Sequence, residues 1–382
     1  MLALGDGDLA AMAGGCLTIS LDALRANYRL IAARVAPARA AAVVKADGYG
    51  LGALRVAPAL AAEGCRAFFV AHLSEAIAVK PSLPPDASLF VLNGLTPGSE
   101  PACIAVGATP VLNSYDQALR WQQAAAAAGT PLAAVVQVDS GMSRLGMSLA
   151  EAGALAGDAE FRAAVPVVLL MSHLACADTP DNPANEAQRN RFAAAAALFP
   201  GVPLSLANSG GSFLPAGFHL ALVRPGVSLY GGAPNNAAPN PMRPVVALDA
   251  RVIQIRTIPP GAGVGYGLTF TADRETRIAT IAAGYADGLP RALGNRGAAY
   301  YNGVRLPIAG RVSMDSITLD VTALPPDTLQ PGALVELIGP HQSLDQLAAD
   351  AGTISYEILT SLGHRYHRIY RDSEPSAASG AA

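Results

Sequence analysis

Between Leu17 and about Gly232 the chain alternates short apolar runs with Ala-rich segments of helical period. No other feature constrains the fold as tightly. A short run that is apolar throughout suits a strand buried on both faces of a parallel sheet, and parallel neighbours need a crossover, usually a helix, between them. The strand candidates are Ala41–Ala46, Ala67–Leu73, Ser88–Asn93, Pro110–Asn113, Ala133–Val138, Val167–His173, Leu204–Ala207 and Ala221–Val223. The intervening segments include Leu21–Val35, Leu54–Glu63, Tyr115–Ala128, Leu149–Gly157 and Ala187–Phe199, each able to carry an apolar stripe. Eight such alternations predict a (β/α)8 barrel of the TIM type, with a doubly wound sheet as the competing layout. Hydrophobic residues make up 51% of the chain but aromatics only 5%, which favours closely packed helices with small side chains.

Beyond Pro234 the style changes. Asn235–Pro244, rich in Asn and Pro, reads as a linker. Val245–Ile258, Arg277–Ala283, Ile317–Val321 and Leu334–Ile338 are strand-like, and one clear helix falls near Ser343–Ala349. The expected organisation is a flexible N-terminus over residues 1–16 and a barrel over 17–234. A mainly β C-terminal domain over 245–371 and a disordered tail over 372–382 complete it.

Several classes lose support. A net charge of −3 gives no reason to expect a polyanionic partner, and no basic run interleaves with aromatics, so nucleic-acid binding is not expected. No uncharged apolar run reaches the ~18 residues of a membrane span. The first fifteen residues lack Lys and Arg, unlike a secretory signal. Cys16, Cys65, Cys103 and Cys176 have no metal-site spacing and are expected to be reduced thiols in a cytoplasmic protein.

Polar residues cluster where the strand candidates end, the active-site face of such a barrel. Lys45 closes the first strand. A lone lysine there is ordinarily a surface residue, but Tyr49 and Gly-rich backbone follow at once, which suits a cofactor better. A partly desolvated lysine has a lowered pKa and can attack an aldehyde to form a Schiff base. Arg144, after the fifth strand, suits either a substrate carboxylate or a structural ion pair. His173 ends the sixth strand, where a buried, satisfied histidine is the default. Asn208-Ser209-Gly210-Gly211-Ser212 and Arg224-Pro225-Gly226-Val227-Ser228 follow the seventh and eighth strands, where barrels commonly bind phosphate. In the C-terminal half, loops around Tyr266, Tyr285 and Arg311 to Asp315 carry more polar and aromatic groups than packing needs.

The segments Ala42-Val43-Val44-Lys45-Ala46-Asp47-Gly48-Tyr49-Gly50, Gly265-Tyr266-Gly267, Gly284-Tyr285-Ala286-Asp287-Gly288 and Gly310-Arg311-Val312-Ser313-Met314-Asp315 together resemble bacterial alanine racemase. The resemblance runs from about Leu17 to Arg371. It implies a fold-type III pyridoxal-phosphate enzyme acting on alanine. It also implies a homodimer whose sites lie between the barrel of one subunit and the β domain of the other.

By motif position, Lys45 resembles the Schiff-base lysine and one proton-transfer base, and Tyr266 the opposite base, donated by the other subunit. Arg224 is similar to the arginine that meets the pyridine nitrogen, and His173 to the residue bridging that arginine and the tyrosine. Tyr49, Ser209, the backbone of Gly226 and Val227, and Tyr356 resemble the phosphate cradle. Arg144 and the amide of Met314 resemble the substrate-carboxylate clamp. Tyr285 and Tyr356 resemble the inner entrance, with Asp178, Arg291 and Arg311 further out. No metal is expected.

The chain departs from the family pattern at three positions. Gln137 stands where a carbamylated lysine is common, so only a neutral amide oxygen is left to accept from Arg144. Leu51 replaces a frequent histidine, and Gly48 a frequent alanine. A racemase of broader or serine specificity is the nearest rival. A non-catalytic cofactor-carrying barrel lacks the β domain, and a decarboxylase of the same fold has Cys and Asp motifs not seen here.

Overall fold

The computed structural model describes residues 10–236 and 239–372. They divide into two compact units, one of Leu24–Leu229 with Ala233–Met242, the other of residues up to Ala23, Tyr230–Gly232 and Arg243 onward.

The first unit is a closed parallel barrel. Ala42–Val43, Ala67–Val70, Ser88–Val91, Thr109–Leu112, Ala134–Gln137, Val167–Met171 and Leu204–Ser205 hydrogen-bond in that order. The eighth strand, Leu222–Val223, pairs in parallel with Arg39–Ala40, the start of the first. On its other edge the amides of Ala221 and Arg224 donate to the carbonyls of Leu204 and Ala207 at 3.0 and 2.9 Å. The Ala41 and Val43 amides complete the ring on Val223 and Pro225 at 2.9 and 3.1 Å. Such closure leaves no strand edge exposed. Strands Ala67–Val70 and Ala134–Gln137 are buried on both faces, as continuous apolar runs require, with all four residues of each inside. Phe69 stacks on Phe90 with centroids 4.7 Å apart.

Local chemistry starts and stops the helices between these strands. Ser114 accepts from the Gln117 amide at the start of Tyr115–Ala128, and Gly129 ends that helix at φ 65°. Ser148 and Glu151 form a reciprocal capping box before Leu149–Gly157, and Asn182 caps Pro183–Ala196. Three short helices, Leu73–Val79, Glu100–Val106 and Ala159–Ala164, give too few turns for a periodic signal and were not anticipated. The strands are also shorter than expected. The second ends at Val70 because the His72–Glu75 cap starts a helix, and the sixth ends at Met171, two residues before His173.

The second unit is built on an eight-stranded sheet. Its main path runs Val304–Pro307, Ala298–Tyr301, Leu334–Ile338, Val246–Ile258, Gly15–Ser20, His367–Arg371. Thr276–Ile281 pairs with Val246–Ile258 and with Ile317–Asp320. The 13-residue strand changes partners along its length, with bulges between Leu248 and Asp249 and between Val252 and Gln254. Ser343 caps the helix Leu344–Asp350, and a second helix spans Ser355–Ser361.

The N-terminal expectation needs correcting. Gly15 and Cys16 are not flexible, and Leu17 does not open the barrel: Gly15–Ser20 is a strand of the β unit, antiparallel to Val246–Ala250 and parallel to His367–Arg371. A Cβ on Gly14 would meet the Ala282 carbonyl oxygen at 2.6 Å, and one on Gly15 the Asp249 carbonyl oxygen at 2.6 Å, so these glycines permit close sheet packing. The rest of the expected flexible N-terminus, residues 1–9, and the expected tail beyond Asp372 lie outside the described residues.

Candidate active site

The first barrel strand delivers Lys45 into a turn of unusual hand. Ala46, Asp47, Gly48, Tyr49 and Gly50 have φ of 52°, 52°, 63°, 56° and 79°. Left-handed geometry costs ~1–2 kcal/mol per L-residue, so five in a row need compensation. Gly48 and Gly50 bear little of that cost, which gives the Gly48 departure a local reason. Backbone bonds from Gly48, Gly50 and Gly52 to the carbonyls of Val44, Ala46 and Asp47 close the turn at 2.9, 2.7 and 2.8 Å. Asp47 Oδ1 accepts from the Ala53 amide at 2.8 Å, and Glu75 Oε1 from the Ala46 amide at 2.6 Å. Leu51 is fully buried below it.

The turn aims Tyr49 at the end of the eighth strand. Its hydroxyl lies 2.1 Å from where a Cβ on Gly226 would stand, so only glycine fits there. Ser209 Oγ accepts from the Gly226 amide at 2.8 Å and, more weakly, from that of Ser228 at 3.4 Å. The Val227–Tyr230 turn follows directly. Ser228 Oγ is buried without a hydrogen-bond partner among the described residues, so this corner has polar capacity to spare.

Across the barrel mouth, Arg224 is 3% exposed. Among the described residues no carboxylate pairs with it. Its guanidinium donates to Ser205 Oγ, to the Ser172 carbonyl at 2.6 Å and to His173 Nδ1 at 3.5 Å. Burial pulls its pKa down to about 9, which leaves a cation at neutral pH. Guanidinium can only donate, so Nδ1 of His173 is the acceptor and the ring proton sits on Nε2. Desolvation, then the charges of Arg224, Arg144 and Lys45, lower the His173 pKa to about 3 and keep the ring neutral. Gln188 holds the His173 carbonyl at 2.9 Å and the Ala175 amide at 2.8 Å.

Lys45 is half-buried. Desolvation, and then Arg144, push its pKa below the ordinary lysine value, against an opposing contribution from Glu75. Arg144 projects from a loop organised by Asp139, whose Oδ1 accepts the amides of Gly141, Met142 and Ser143 at 2.8, 2.8 and 3.2 Å. The expected acceptor role of Gln137 toward Arg144 is not found. Its Nε2 instead donates to the Leu145 carbonyl at 3.2 Å, and its own carbonyl accepts the Met147 amide at 2.8 Å. Through the bond to Leu145 the side chain holds the loop that carries Arg144. Asp178 is exposed, its carbonyl taken by the Asn236 amide at 2.9 Å.

The barrel unit therefore brings Lys45, Tyr49, His173, Ser209, Arg224, Gly226 and Val227 to one end, with Arg144 close enough to act on Lys45 and His173 electrostatically. The remaining site candidates lie in the β unit. Tyr266 is 72% exposed on a turn flanked by Gly265 and Gly267, both at positive φ. The Arg311 guanidinium lies over Gly267, 3.2 Å from where its Cβ would be. Asn295 joins the two loops by donating to the Thr269 carbonyl and accepting the Gly310 amide. The amides of Tyr285 and Ala286 bond the carbonyls of Ser313 and Met314, each at 3.0 Å, which sets Tyr285 beside Met314. Arg365 grips Asp287 with two bonds of 2.7 Å and Asp315 with one of 2.6 Å, fixing this pair of loops. The turn that starts at Arg291 packs through Gly294 on Gly310 and Arg311. Tyr285, Met314 and Tyr356 are all exposed.

Sequence reading passed over Glu75, Ser172, Ser205, Gln188, Asn295 and Arg365. Only Glu75 carried a local signal, as the third residue of a helix start, and that signal speaks of capping. Among the described residues no cluster of His, Cys, Asp and Glu suits a metal, and no helix is long and apolar enough to cross a membrane. Cys16, Cys65 and Cys103 are buried free thiols and Cys176 is a half-buried one.

A closed barrel with a desolvated lysine after its first strand and a hydroxyl-and-amide corner beyond its last strands, in a chain that also forms a β unit, has the architecture of barrel-type pyridoxal-phosphate enzymes. The models of the alanine racemase N-terminal and C-terminal domains match residues 19–234 and 245–370. A catabolic alanine racemase of Agrobacterium fabrum is 55% identical over 97% of this chain and 96% of its own. An alanine racemase of Brucella canis is 54% identical over 95% and 94%. The crystal structure of alanine racemase from Bartonella henselae with covalently bound pyridoxal phosphate superposes with a TM-score of 0.91 at 43% identity, covering 94% of this chain and all of that one. The chain belongs to the alanine racemase family.

Proposed function

We propose that this protein interconverts L- and D-alanine with pyridoxal phosphate held on Lys45. The observation that carries this reading is the arrangement around Arg224. A buried guanidinium with no carboxylate partner among the described residues, a neutral His173 and a desolvated Lys45 share one barrel mouth with the Tyr49–Ser209–Gly226 corner. These residues fit the cofactor. Lys45 would carry its aldehyde carbon. The hydroxyls of Tyr49 and Ser209, the amides of Gly226 and Val227, and Tyr356 would take its phosphate. Arg224 would meet its ring nitrogen.

When bound, the cofactor supplies an electron-withdrawing ring that acidifies the α-carbon of the attached amino acid. The rest falls to the protein. Lys45 takes or returns the proton on one face, helped by a pKa held below the usual lysine range. Tyr266 of the partner subunit serves the other face; its exposure leaves the phenol available to another chain. An ordinary phenol has a pKa near ~10, and the Nε2–H of His173 is the donor that favours its ionised form. Arg224 offers only N–H donors and would hold the ring nitrogen it meets unprotonated, so that the ring would withdraw electrons less strongly. That balance would favour racemisation over transamination. Arg144 and the Met314 amide would bind the substrate carboxylate, with Tyr285, Tyr356, Asp178, Arg291 and Arg311 lining the approach.

We also infer a homodimer with shared sites, a cytoplasmic location and D-alanine supply for cell-wall peptidoglycan. A second physiological reading has its own support, since relatives named catabolic are among the most similar. Enantiomers have equal free energy, so one site serves either direction. Purified protein given L-alanine, with and without added cofactor, should form D-alanine to an equal mixture. Failure to do so with cofactor bound would remove the reading. Turnover of serine beside alanine separates the broader-specificity alternative. D-alanine auxotrophy after gene deletion separates supply from breakdown.

A further inference from the structure

We infer that Glu75 is a positioning residue for Lys45, holding the peptide that follows the lysine in its left-handed turn. The inference rests on the proposed role of Lys45. Two capping boxes in the barrel unit provide an internal comparison. At the start of Leu149–Gly157, Glu151 uses Oε2 alone, accepting the Ser148 amide and hydroxyl at 2.8 Å each. At the start of Leu73–Val79, Glu75 likewise spends Oε2 on the cap, accepting the amides of Ala71 and His72 at 2.6 and 3.1 Å. Its Oε1 then reaches the end of the neighbouring strand and accepts the Ala46 amide at 2.6 Å. Capping a helix does not require that second bond.

The Ala46 amide belongs to the peptide that begins at the Lys45 carbonyl, and Ala46 is the first residue of the left-handed run. Holding that peptide fixes where the Lys45 side chain leaves the backbone. It also stabilises a turn whose conformation is costly for Ala46, Asp47 and Tyr49. The charged groups acting on Lys45 are Arg144 and Glu75, with neutral His173 nearby. Glu75 is the carboxylate among them, so it opposes the cation of Arg144 while it positions the turn. Glutamine at this place keeps the size but has one acceptor oxygen, and its side-chain NH2, a donor, must face either the Ala46 amide or the cap amides.

The test uses holoenzyme and three variants, Glu75→Gln, Glu75→Asp and, as a cap-loss control, Glu151→Gln. The readouts are the pH titration of the visible absorbance of the lysine-bound cofactor, kcat and KM for alanine, and the melting temperature. Glu75→Gln should move the absorbance titration to lower pH by about half a unit or more, since a nearby negative charge is gone. It should lower kcat by about 10-fold with KM within about twofold, the pattern of a group needed mainly at the transition state. Glu151→Gln should melt earlier with titration and kcat unmoved. Glu75→Asp keeps the charge and can cap, but is one methylene too short to span both sets of amides; it should lower kcat with the titration near wild type. If Glu75→Gln folds and melts earlier like Glu151→Gln, with titration and kcat unmoved, Glu75 is only a cap and the inference is overturned. If Glu75→Gln does not fold, an unchanged kcat in Glu75→Asp overturns it. A wild-type protein that shows no lysine-bound absorbance removes the proposed function itself, and the inference with it.

Discussion

The Tyr49 hydroxyl stands in the space that a side chain on Gly226 would need, 2.1 Å from the position of its Cβ. Tyr49 ends a left-handed turn after the first strand, and Gly226 follows the eighth, so the contact is made where the barrel closes on itself. Gly226→Ala should force the hydroxyl away and open the corner. Cofactor affinity should fall by about tenfold or more, because a hydrogen bond to a charged group such as phosphate contributes about 1.5 kcal/mol or more. Titrating cofactor-free protein with pyridoxal phosphate and following its absorbance measures this; unchanged affinity would place the phosphate elsewhere.

Arg224 is the residue for which the chemistry makes the sharpest claim. Arg224→Glu puts a proton-sharing carboxyl where a donor-only guanidinium stands. Racemisation should fall by about 10²-fold or more, while transamination rises as a fraction of turnovers. Counting pyruvate formed per D-alanine formed decides it. A variant with an unchanged ratio and rate would sink the electron-withdrawal argument.

His173 gives a pH dependence with a definite sign. Its folded pKa is depressed to about 3, first by desolvation and then by Arg224, Arg144 and Lys45. Below the unfolded value of ~6.5 the unfolded chain therefore binds a proton that the folded chain does not. Stability from this group is complete above ~6.5 and is lost as pH falls toward the folded value, by about 1.4 kcal/mol per pH unit. His173→Asn removes that dependence. The melting temperatures of wild type and variant should converge as pH drops from 7 to about 5; a constant gap would mean that the ring is protonated in the folded protein.

Gln137 should act through the loop it holds. Gln137→Ala releases the Leu145 carbonyl and should raise KM for alanine several-fold with little change in kcat, because the loop carrying Arg144 loosens in ground and transition states alike. Bicarbonate should have no effect on either protein, since an amide forms no carbamate. A fall in kcat at constant KM would assign position 137 to the transition state.

The barrel was legible because its information is local and repeated. Eight apolar runs overlap the barrel strands, although Thr109 and the Arg39–Ala40 start of the first strand fall outside them, and their ends point to Lys45, His173 and Arg224. The ends themselves were misread wherever a side chain from elsewhere decides them. Val70 ends its strand because of Glu75, and Lys45 leaves its strand into a left-handed turn that Asp47 and Glu75 stabilise. Gly15–Ser20 was misread for the opposite reason: its pairing partners, Val246–Ala250 and His367–Arg371, are more than two hundred residues away in sequence. No local pattern records such contacts. The same holds for Arg365, whose grip on Asp287 and Asp315 spans 78 and 50 residues.

The shared site is the claim with the most direct test. Lys45 lies in the barrel unit and Tyr266 in the β unit, on an exposed turn. If each site draws one residue from each chain, Lys45→Ala and Tyr266→Phe homodimers should both be nearly inactive, because losing an acid–base group costs ~10²–10⁴-fold. An equal mixture of the two, unfolded and refolded together, pairs at random, and about half of the dimers contain one chain of each kind. In such a dimer one site carries both lesions. The other takes Lys45 from the Tyr266→Phe chain and Tyr266 from the Lys45→Ala chain, and is intact. About a quarter of all sites should then regain wild-type activity. If both residues served the same chain, no pairing would create an intact site. Mixed dimers confirmed by mass, yet no more active than their parents, would remove the shared-site model and leave Tyr266 acting within its own chain or not at all.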